Sequence, residues 1–160
     1  MTVDQEARLQ ENKEVHTKIG KTWFIDIDGT VLKAQSDTKL DIMIAQFGNR
    51  SHTQEQTLPS SKQFLKKIPK RDTVILTTAR DNRHKEHTDK TLKHLGVRYD
   101  EVLYDLRSGA RILVNDVKPK GAVKNRHEIK TAFAINLKRN DMVNIEFDVL
   151  GKYINNFMKK

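Results

Sequence analysis

The sequence predicts an α/β fold with a mainly parallel central sheet covered by helices on both faces. Short runs of apolar, β-branched and aromatic residues recur along the chain, and stretches with helical spacing lie between them. The runs are apolar throughout rather than alternating, which is typical of strands buried on both faces of a parallel sheet. The chain has 160 residues, enough to bury a core, and we expect a single domain over residues 1–160.

The strand predictions rest on length and composition. Each run is too short for a helix and is rich in β-branched or aromatic residues. The four stronger runs cover residues 23–28, 73–77, 111–115 and 132–137. A weaker run covers residues 101–104.

Helices are predicted between and after these strands. Ser60 or Ser61 is a suitable N-cap for a helix that ends at Pro69. Residues 84–94 form a polar helical stretch that stops before Gly96. A docking helix near the C-terminus is predicted from apolar residues at helical spacing, namely Leu150, Tyr153, Ile154, Phe157 and Met158.

Composition restricts the function classes and the compartment. Thirty Lys and Arg residues against twenty-one Asp and Glu give a net charge of +9, which suits a polyanionic or phosphorylated partner and also a merely solubilising surface. Residues 118–160 hold ten basic and four acidic residues, so +6 of this excess lies there. No cysteine is present, which excludes disulfides, a thiolate nucleophile and Cys-ligated zinc. No apolar run suits a membrane span or a secretory signal, so we expect a cytoplasmic protein with no membrane partner.

Polar residues with chemical potential follow three of the predicted strands. The first strand ends in Asp26 and Asp28, the second is followed by Thr78, and the third by Asp116. Ligands of parallel sheets bind at the carboxyl ends of the strands, so we expect these side chains to meet. Gly29 supplies a turn that lets both carboxylates face one pocket. Such a cluster suits Mg²⁺-assisted phosphoryl transfer, in which one carboxylate attacks phosphorus and a second exchanges protons.

These motifs resemble the haloacid dehalogenase (HAD) superfamily, most of whose members are Mg²⁺-dependent phosphatases. The run from Asp26 to Thr30 (Asp-x-Asp-Gly-Thr) is similar to the first motif of that family, and Thr78 and Asp116 follow in the family's order. The resemblance covers residues 22–137 and leaves 138–160 as a C-terminal helical extension. It implies a Rossmann-like three-layer sandwich.

The resemblance also implies a role for each matched residue. Asp26 corresponds to the nucleophile and a Mg²⁺ ligand, and Asp28 to the general acid/base, whose backbone carbonyl also binds the metal. Thr78 corresponds to the hydroxyl that binds the phosphoryl group, and Asp116 to a further metal ligand. Thr30 is expected to shape the turn beside the substrate.

The chain departs from the family at the third motif, a lysine that steadies the nucleophile and phosphate. Lys118 is the preferred substitute, with Lys120 and Arg107 as alternatives, and turnover should be slow if no cation takes this place. Arg80 follows Thr78 at the mouth of the expected site, where a guanidinium suits a substrate phosphate or carboxylate. Family members that remove terminal phosphates from nucleic acids have a similar hydroxyl-x-Arg run.

Other interpretations of the same residues remain open. Asp28 with Gly29 also fits an ordinary turn, Thr78 a helix N-cap and Asp116 the start of a loop. Two clusters are interpreted as solvated helix faces rather than as a metal site or a polyanion site. They are the histidines His84, His87 and His94, and the basic run Lys62, Lys66, Lys67, Lys70 and Arg71.

The spacing of the motifs bears on the substrate. Only 49 residues separate Asp28 from Thr78 and 37 separate Thr78 from Asp116, so no full cap domain fits. Residues 31–58 have room for a small flap or an extra helix around 40–47. Capless family members accept large substrates or close the site with a neighbouring subunit, so a homo-oligomer is compatible with the sequence.

Three functions are carried forward from the sequence. The leading one is a Mg²⁺-dependent phosphomonoester hydrolase that acts on a phosphorylated sugar or nucleotide through an aspartyl-phosphate. The alternative is a phosphatase that processes nucleic acid ends, such as a 3′-phosphate, which Arg80 and the net charge of +9 favour. The third is a non-catalytic binding module that keeps the fold.

Overall fold

A computed structural model describes residues 20–121 and 127–141, and a parallel three-stranded sheet lies at its centre. The strands are β1 (Thr22–Asp26), β2 (Thr73–Thr77) and β3 (Glu101–Leu103), with β2 in the middle. Helices connect the strands, so the predicted α/β class with a parallel sheet is confirmed.

The register of the sheet aligns the carboxyl ends of the three strands. Asp26 lies opposite Thr77, and Thr77 lies opposite Leu103. Backbone bonds extend this alignment by one residue, because Ile27 N donates to Thr77 O at 3.0 Å and Thr78 N donates to Leu103 O at 3.0 Å. The residues that follow β1 and β2 therefore meet at one edge of the sheet.

Three α-helices accompany the sheet in the described part of the chain. Helix α1 (Asp37–Phe47) begins at Ser36, whose Oγ accepts from Lys39 N at 3.2 Å, and a 3₁₀ turn (Gly48–Thr53) follows it. Helix α2 (Ser61–Lys67) confirms the helix predicted before Pro69. Helix α3 (Lys85–His94) follows a 3₁₀ turn (Asn82–His84) and confirms the helix predicted before Gly96. The extra helix expected around residues 40–47 is present within α1.

The apolar core lies between one face of the sheet and helices α2 and α3. Ile25, Val74 and Leu76 from the strands pack with Leu65 and Leu92 from the two helices. Phe24 points to the other face and is 53% exposed. The three-layer, Rossmann-like covering of both faces and the lack of a cap stay predictions.

A buried carboxylate anchors the start of β1. Asp72, in the turn before β2, is 3% exposed and accepts from the Trp23 indole Nε1 at 2.9 Å and from Lys21 N at 3.1 Å. Lys21 Nζ lies 3.0 Å from the same carboxylate. Burial opposes the charge of Asp72, but these donors outweigh it and lower its pKa.

Two strand predictions are wrong and the weakest one is right. Residues 111–115 and 132–137 are not strands, and Ile112 and Val114 are 87% and 89% exposed. The weak run at 101–104 instead supplies β3, which pairs with β2. Composition indicates how well a segment suits a strand, whereas a strand forms only where a neighbour offers its backbone groups.

Two expectations concern segments beyond the described residues. The C-terminal docking helix falls at 150–158, and the extension at 138–160 is described only as far as residue 141. Within the described ranges, no helix has both the length and the apolar character needed to cross a membrane.

Candidate active site

Asp26 is the last residue of β1 and presents a half-exposed carboxylate at the edge where the strands end. Its side chain is 47% exposed, and Arg111 Nη2 lies 4.0 Å from its Oδ1. Partial burial raises the pKa of Asp26 and the neighbouring Asp28 carboxylate raises it further, whereas Arg111 and Arg139 act in the opposite direction. The Asp28 carboxylate is therefore close enough to act on Asp26.

The turn after β1 brings a distant basic segment next to Asp26. Gly29 has φ 86°, a conformation that favours glycine, and Asn140 N donates to its carbonyl oxygen at 2.9 Å. Asn140 Oδ1 accepts from Ala34 N at 2.9 Å, on the other side of the turn. A Cβ atom at position 29 would lie 2.9 Å from Arg139 Cγ, so the missing side chain is what admits Arg139.

Asp28 is fixed by groups that follow β2. Its carboxylate is 21% exposed and receives hydrogen bonds from Arg80, the shortest from Nε to Oδ2 at 3.0 Å and from Nη2 to Oδ1 at 2.8 Å. The Thr78 hydroxyl donates to Oδ2 at 3.3 Å. The carboxylate of Asp28 is therefore held in one orientation beside the freer carboxylate of Asp26.

Thr78, the residue after β2, forms hydrogen bonds with both Asp28 and Arg80. It is 1% exposed, and its Oγ1 accepts from the backbone N–H of Arg80 at 3.0 Å while it donates to Asp28. The structure thus places the Thr78 hydroxyl beside the Asp28 carboxylate. Its binding of a phosphoryl group stays a prediction.

Arg80 is buried between two carboxylates. The residue is 2% exposed, and besides Asp28 it contacts Glu55, through Nη1 to Oε2 at 2.9 Å and Nη2 to Oε1 at 2.6 Å. Nη1 also donates to Thr88 Oγ1 at 3.0 Å. Burial disfavours the charge of Arg80, but the two carboxylates raise its pKa above the usual value. In this arrangement the guanidinium faces acidic side chains rather than the mouth of the site.

Glu55 is a functional candidate that the sequence analysis missed. It is 3% exposed, and His87 Nε2 lies 2.8 Å from its Oε2. Burial by itself raises the pKa of Glu55, but hydrogen bonds from His87 and Arg80 outweigh burial and lower the pKa from 4.5 to about 2. Glu55 is therefore a buried, charged carboxylate at neutral pH.

The interpretation of the histidines as a solvated face is wrong for two of the three. His87 is 6% exposed and its Nδ1 lies 2.8 Å from Ser51 Oγ, while His84 is 1% exposed with Nε2 2.7 Å from Asp41 Oδ1. Only His94 is exposed. The spacing of the sequence could have indicated their burial. His84 and His87 lie at helical spacing from Thr88, Thr91 and Leu92, which are buried.

The predicted metal ligand Asp116 is not brought into a metal cluster. Its side chain is 69% exposed, and Lys118 Nζ lies 3.7 Å from it. Residues 111–115 form no strand that would carry Asp116 to the sheet edge, and Lys118 pairs with Ile129 through backbone bonds of 2.9 Å. Over residues 20–121 and 127–141, no group of three or more His, Asp or Glu side chains is placed to hold a metal ion.

The cations beside Asp26 differ from those expected. Arg111 and Arg139 influence the Asp26 carboxylate, whereas Lys118 pairs with Asp116, and Lys120 and Arg107 are exposed. Thr30 lies in the turn after β1, where its N–H donates to Ile27 O at 3.3 Å. Both arginines are distant in sequence, and only the folded chain shows that they flank the turn.

The geometry provides one half-exposed carboxylate, a second carboxylate fixed beside it, a buried hydroxyl and two flanking guanidinium groups. These groups suit nucleophilic attack and proton exchange on an anionic substrate. Comparison with protein-family models, curated proteins and solved structures finds no match to this chain.

Proposed function

We propose that this chain is a Mg²⁺-dependent phosphomonoester hydrolase of the haloacid dehalogenase type, with Asp26 as its nucleophile. One observation carries the proposal. A half-exposed carboxylate, Asp26, lies at the carboxyl end of a parallel strand beside a second carboxylate, Asp28, which the neighbouring strand end holds through Thr78 and Arg80. The arrangement separates a carboxylate free to attack from one fixed to exchange protons.

The reaction proceeds in two displacements. An Asp26 carboxylate oxygen attacks phosphorus and the P–O bond to the alcohol breaks, while the Asp28 carboxyl group gives a proton to the leaving oxygen and is left as the carboxylate that Arg80 and Thr78 hold. Water then attacks the phosphorus of the aspartyl-phosphate, and Asp28 takes a proton from that water. The P–O bond to Asp26 breaks, which releases phosphate and restores the Asp26 carboxylate.

Mg²⁺ suits this donor set in part. Proteins commonly hold Mg²⁺ through one or two carboxylates, with waters and substrate phosphate completing the shell. Asp26 with the backbone carbonyl of Asp28 meets that requirement, and a divalent cation would offset the partial burial and the Asp28 repulsion that raise the pKa of Asp26. Asp116 is not placed with them, so we assign the binding to Asp26 and Asp28. Bound Mg²⁺ supplies charge neutralisation for the phosphoryl oxygens.

Arg111 and Arg139 take the place that the family gives to its third-motif lysine. Both favour the ionised form of Asp26, and a guanidinium binds phosphate oxygens through paired hydrogen bonds. In this proposal they hold the phosphoryl group against Asp26 as charge develops. Lys118, the preferred candidate from the sequence, pairs with Asp116 instead.

The substrate we favour is a phosphorylated small molecule, a sugar or a nucleotide. The alternative of a nucleic acid end keeps the support of the net charge of +9 and of the two arginines beside Asp26. It loses the support of Arg80, whose guanidinium is bound to Glu55 and Asp28.

The test is phosphate release from p-nitrophenyl phosphate by the purified protein, with and without Mg²⁺. Asp26→Asn should abolish release, while Asp37→Asn, a change at an exposed carboxylate in the first turn of α1, should not. Turnover by Asp26→Asn at the wild-type rate would contradict the assignment of the nucleophile. A panel of sugar phosphates, nucleoside monophosphates and a 3′-phosphorylated oligonucleotide then separates the substrate classes.

A further inference from the structure

A continuous chain of polar contacts runs from the site into the interior and ends at the 3₁₀ turn after α1. We name it the Arg80 cluster, and its members in order are Asp28, Arg80, Glu55, His87 and Ser51. Each adjacent pair is joined by a contact of 3.0 Å or less. Asp28 is the member at the site, whereas Glu55 is 3% exposed and lies behind Arg80.

We propose that Glu55 is a positioning residue, which holds Arg80 so that Arg80 fixes the Asp28 carboxylate beside Asp26. The guanidinium of arginine is a rigid planar fork, so fixing one edge fixes the direction of the other. Glu55 occupies Nη1 and Nη2 at 2.9 and 2.6 Å, and the edge formed by Nε and Nη2 meets Asp28. The orientation of Asp28 is thus set from inside the protein.

Among residues 20–121 and 127–141, few other groups constrain the orientation of Asp28. It follows β1 and precedes Gly29 in a turn, and the backbone donor that reaches its carboxylate is Gln35 N at 3.5 Å. The Thr78 hydroxyl is 3.3 Å away. The shortest contacts of Asp28 are those with Arg80. Small displacements of a reacting group are costly, since a shift of about 1 Å can lower a rate by about a hundredfold.

Glu55 is itself held on both of its oxygens. Oε1 accepts from Arg80, and Oε2 accepts from Arg80 and lies 2.8 Å from His87 Nε2. The second ring nitrogen of His87 contacts Ser51 Oγ at 2.8 Å, which fixes the imidazole. Replacing a buried ion pair by well-packed apolar groups is often neutral for stability, so the orientation of Arg80 is the better explanation for the pair.

The inference rests on the proposed hydrolase for its kinetic test. Glu55→Gln keeps the shape and removes the charge, and we expect kcat to fall by about 10- to 100-fold with KM within about twofold of wild type. Glu86→Gln, the same change at an exposed helix position, should leave kcat unchanged. In an Arg80→Gln background, Glu55→Gln should lower kcat little further, because its effect passes through Arg80. Full additivity of the two changes would contradict the proposal.

A spectroscopic measurement keeps the two proposals separable. NMR of the Arg80 Nε–Hε group and the Asp28 carboxyl carbon should show faster Hε exchange and a shifted Asp28 signal in Glu55→Gln, but not in Glu86→Gln. These shifts in a protein that hydrolyses nothing would support the role of Glu55 and contradict only the hydrolase. If Glu55→Gln does not fold, His87→Gln removes one contact of Glu55 and should give smaller changes of the same kind. The inference is wrong if the Asp28 signal of Glu55→Gln is unchanged. It is also wrong if the wild-type protein is a hydrolase and Glu55→Gln has the same kcat.

Discussion

Arg80 and Asp28 form a two-point ion pair, with Nε 3.0 Å from Oδ2 and Nη2 2.8 Å from Oδ1, across 52 positions of sequence. Arg80 follows β2 and Asp28 follows β1, so this pair joins the ends of two adjacent parallel strands. It lies next to Asp26, and its guanidinium is buried. The pair is therefore a part of the fold and of the candidate site at once.

Removing the charge of Arg80 should destabilise the protein strongly. Arg80→Gln leaves Glu55 buried without its cation, and breaking a buried pair in this way costs about 3–5 kcal/mol. Arg83→Gln is the matched control, because Arg83 is 57% exposed and its pairs with Asp41 and Asp81 are at the surface. The control should lose less than about 1 kcal/mol. Urea unfolding followed by circular dichroism measures both, and equal losses would contradict the role given to the cluster.

Glu55 should make the protein sensitive to acid. Its folded-state pKa is lowered from 4.5 to about 2, so its contribution is fully present above pH 4.5 and is lost as the pH falls to about 2. The shift corresponds to a stabilisation of roughly 3 kcal/mol. The groups that face Glu55 are Arg80, His87 and, through Arg80, Asp28.

The measurement is the free energy of unfolding at several pH values from 2 to 6. Wild type should lose more stability over this range than Glu55→Gln, which has no carboxylate to protonate at this position. Glu86→Gln should retain most of the wild-type loss, because only an exposed pair with Lys90 lowers the pKa of Glu86. Parallel curves for wild type and Glu55→Gln would show that Glu55 does not carry this dependence.

The fall of kcat/KM at low pH (the acid limb) should reflect protonation of Asp26. The nucleophile must be ionised, so activity should fall as the pH drops through the pKa of Asp26, which burial and Asp28 raise and bound Mg²⁺ would lower. Arg111 lowers the pKa, so Arg111→Gln should move the acid limb to higher pH. The measurement is kcat/KM against pH for p-nitrophenyl phosphate. Arg83→Gln should leave the limb in place, and a shift to lower pH in Arg111→Gln would contradict the assignment.

Stability should respond to Asp26 with the opposite sign from Glu55. The pKa of Asp26 is raised in the folded state, so the folded protein binds this proton more tightly than the unfolded chain does. The free energy of unfolding should therefore fall as the pH rises from the usual pKa of 3.8 through the raised value. Asp26→Asn should therefore be at least as stable as wild type at neutral pH while it releases no phosphate. Unfolding by urea at neutral pH checks this, and a large loss of stability would mean that Asp26 supports the fold.

The strand ends were predictable because short-range composition and parallel pairing suffice to define them. The runs that contain β1 and β2 are visible in the sequence, and parallel register then places Asp28 and Thr78 at one edge. The strand predictions at 111–115 and 132–137 were wrong because they rest on apolar composition. Composition does not indicate whether another strand is available to pair with the segment. Arg111 begins the first of these segments and Arg139 follows the second, and no local pattern indicates that either residue lies beside Asp26.

Glu55 and His87 could not be assigned from the sequence for a different reason. Their partners lie 25 to 36 positions away, and each residue type is more often exposed than buried when nothing pairs with it. A buried polar residue becomes favourable only once its partner is in place, and that pairing is a property of the tertiary fold. Helical spacing indicated that His87 shares a face with Leu92, but not what that face would contact.

Thr78 provides a test of the connection between the two strand ends. Thr78→Val keeps the shape of the side chain but removes the donor to Asp28 and the acceptor of the Arg80 N–H, a buried group. An unpaired buried group costs about 1–3 kcal/mol, so Thr78→Val should be less stable by about that amount. Thr78→Ser keeps the hydroxyl and should stay closer to wild type. Thr73→Val, at the exposed start of the same strand, is the control for a threonine-to-valine change in β2.

The kinetic outcome separates the two tasks of the Thr78 hydroxyl. If the hydroxyl also binds the phosphoryl group, Thr78→Val should lower kcat by about a hundredfold, because a donor to the transition state is lost. Thr78→Ser should retain most of the wild-type kcat. A variant that loses stability and keeps kcat would restrict Thr78 to holding Asp28 and Arg80. Because the hydroxyl is 3.3 Å from Asp28 without substrate, phosphate binding requires it to exchange a carboxylate oxygen for a phosphoryl oxygen. That exchange leaves the lone pair on Asp28 Oδ2, to which Thr78 donated, open to take a proton from the attacking water.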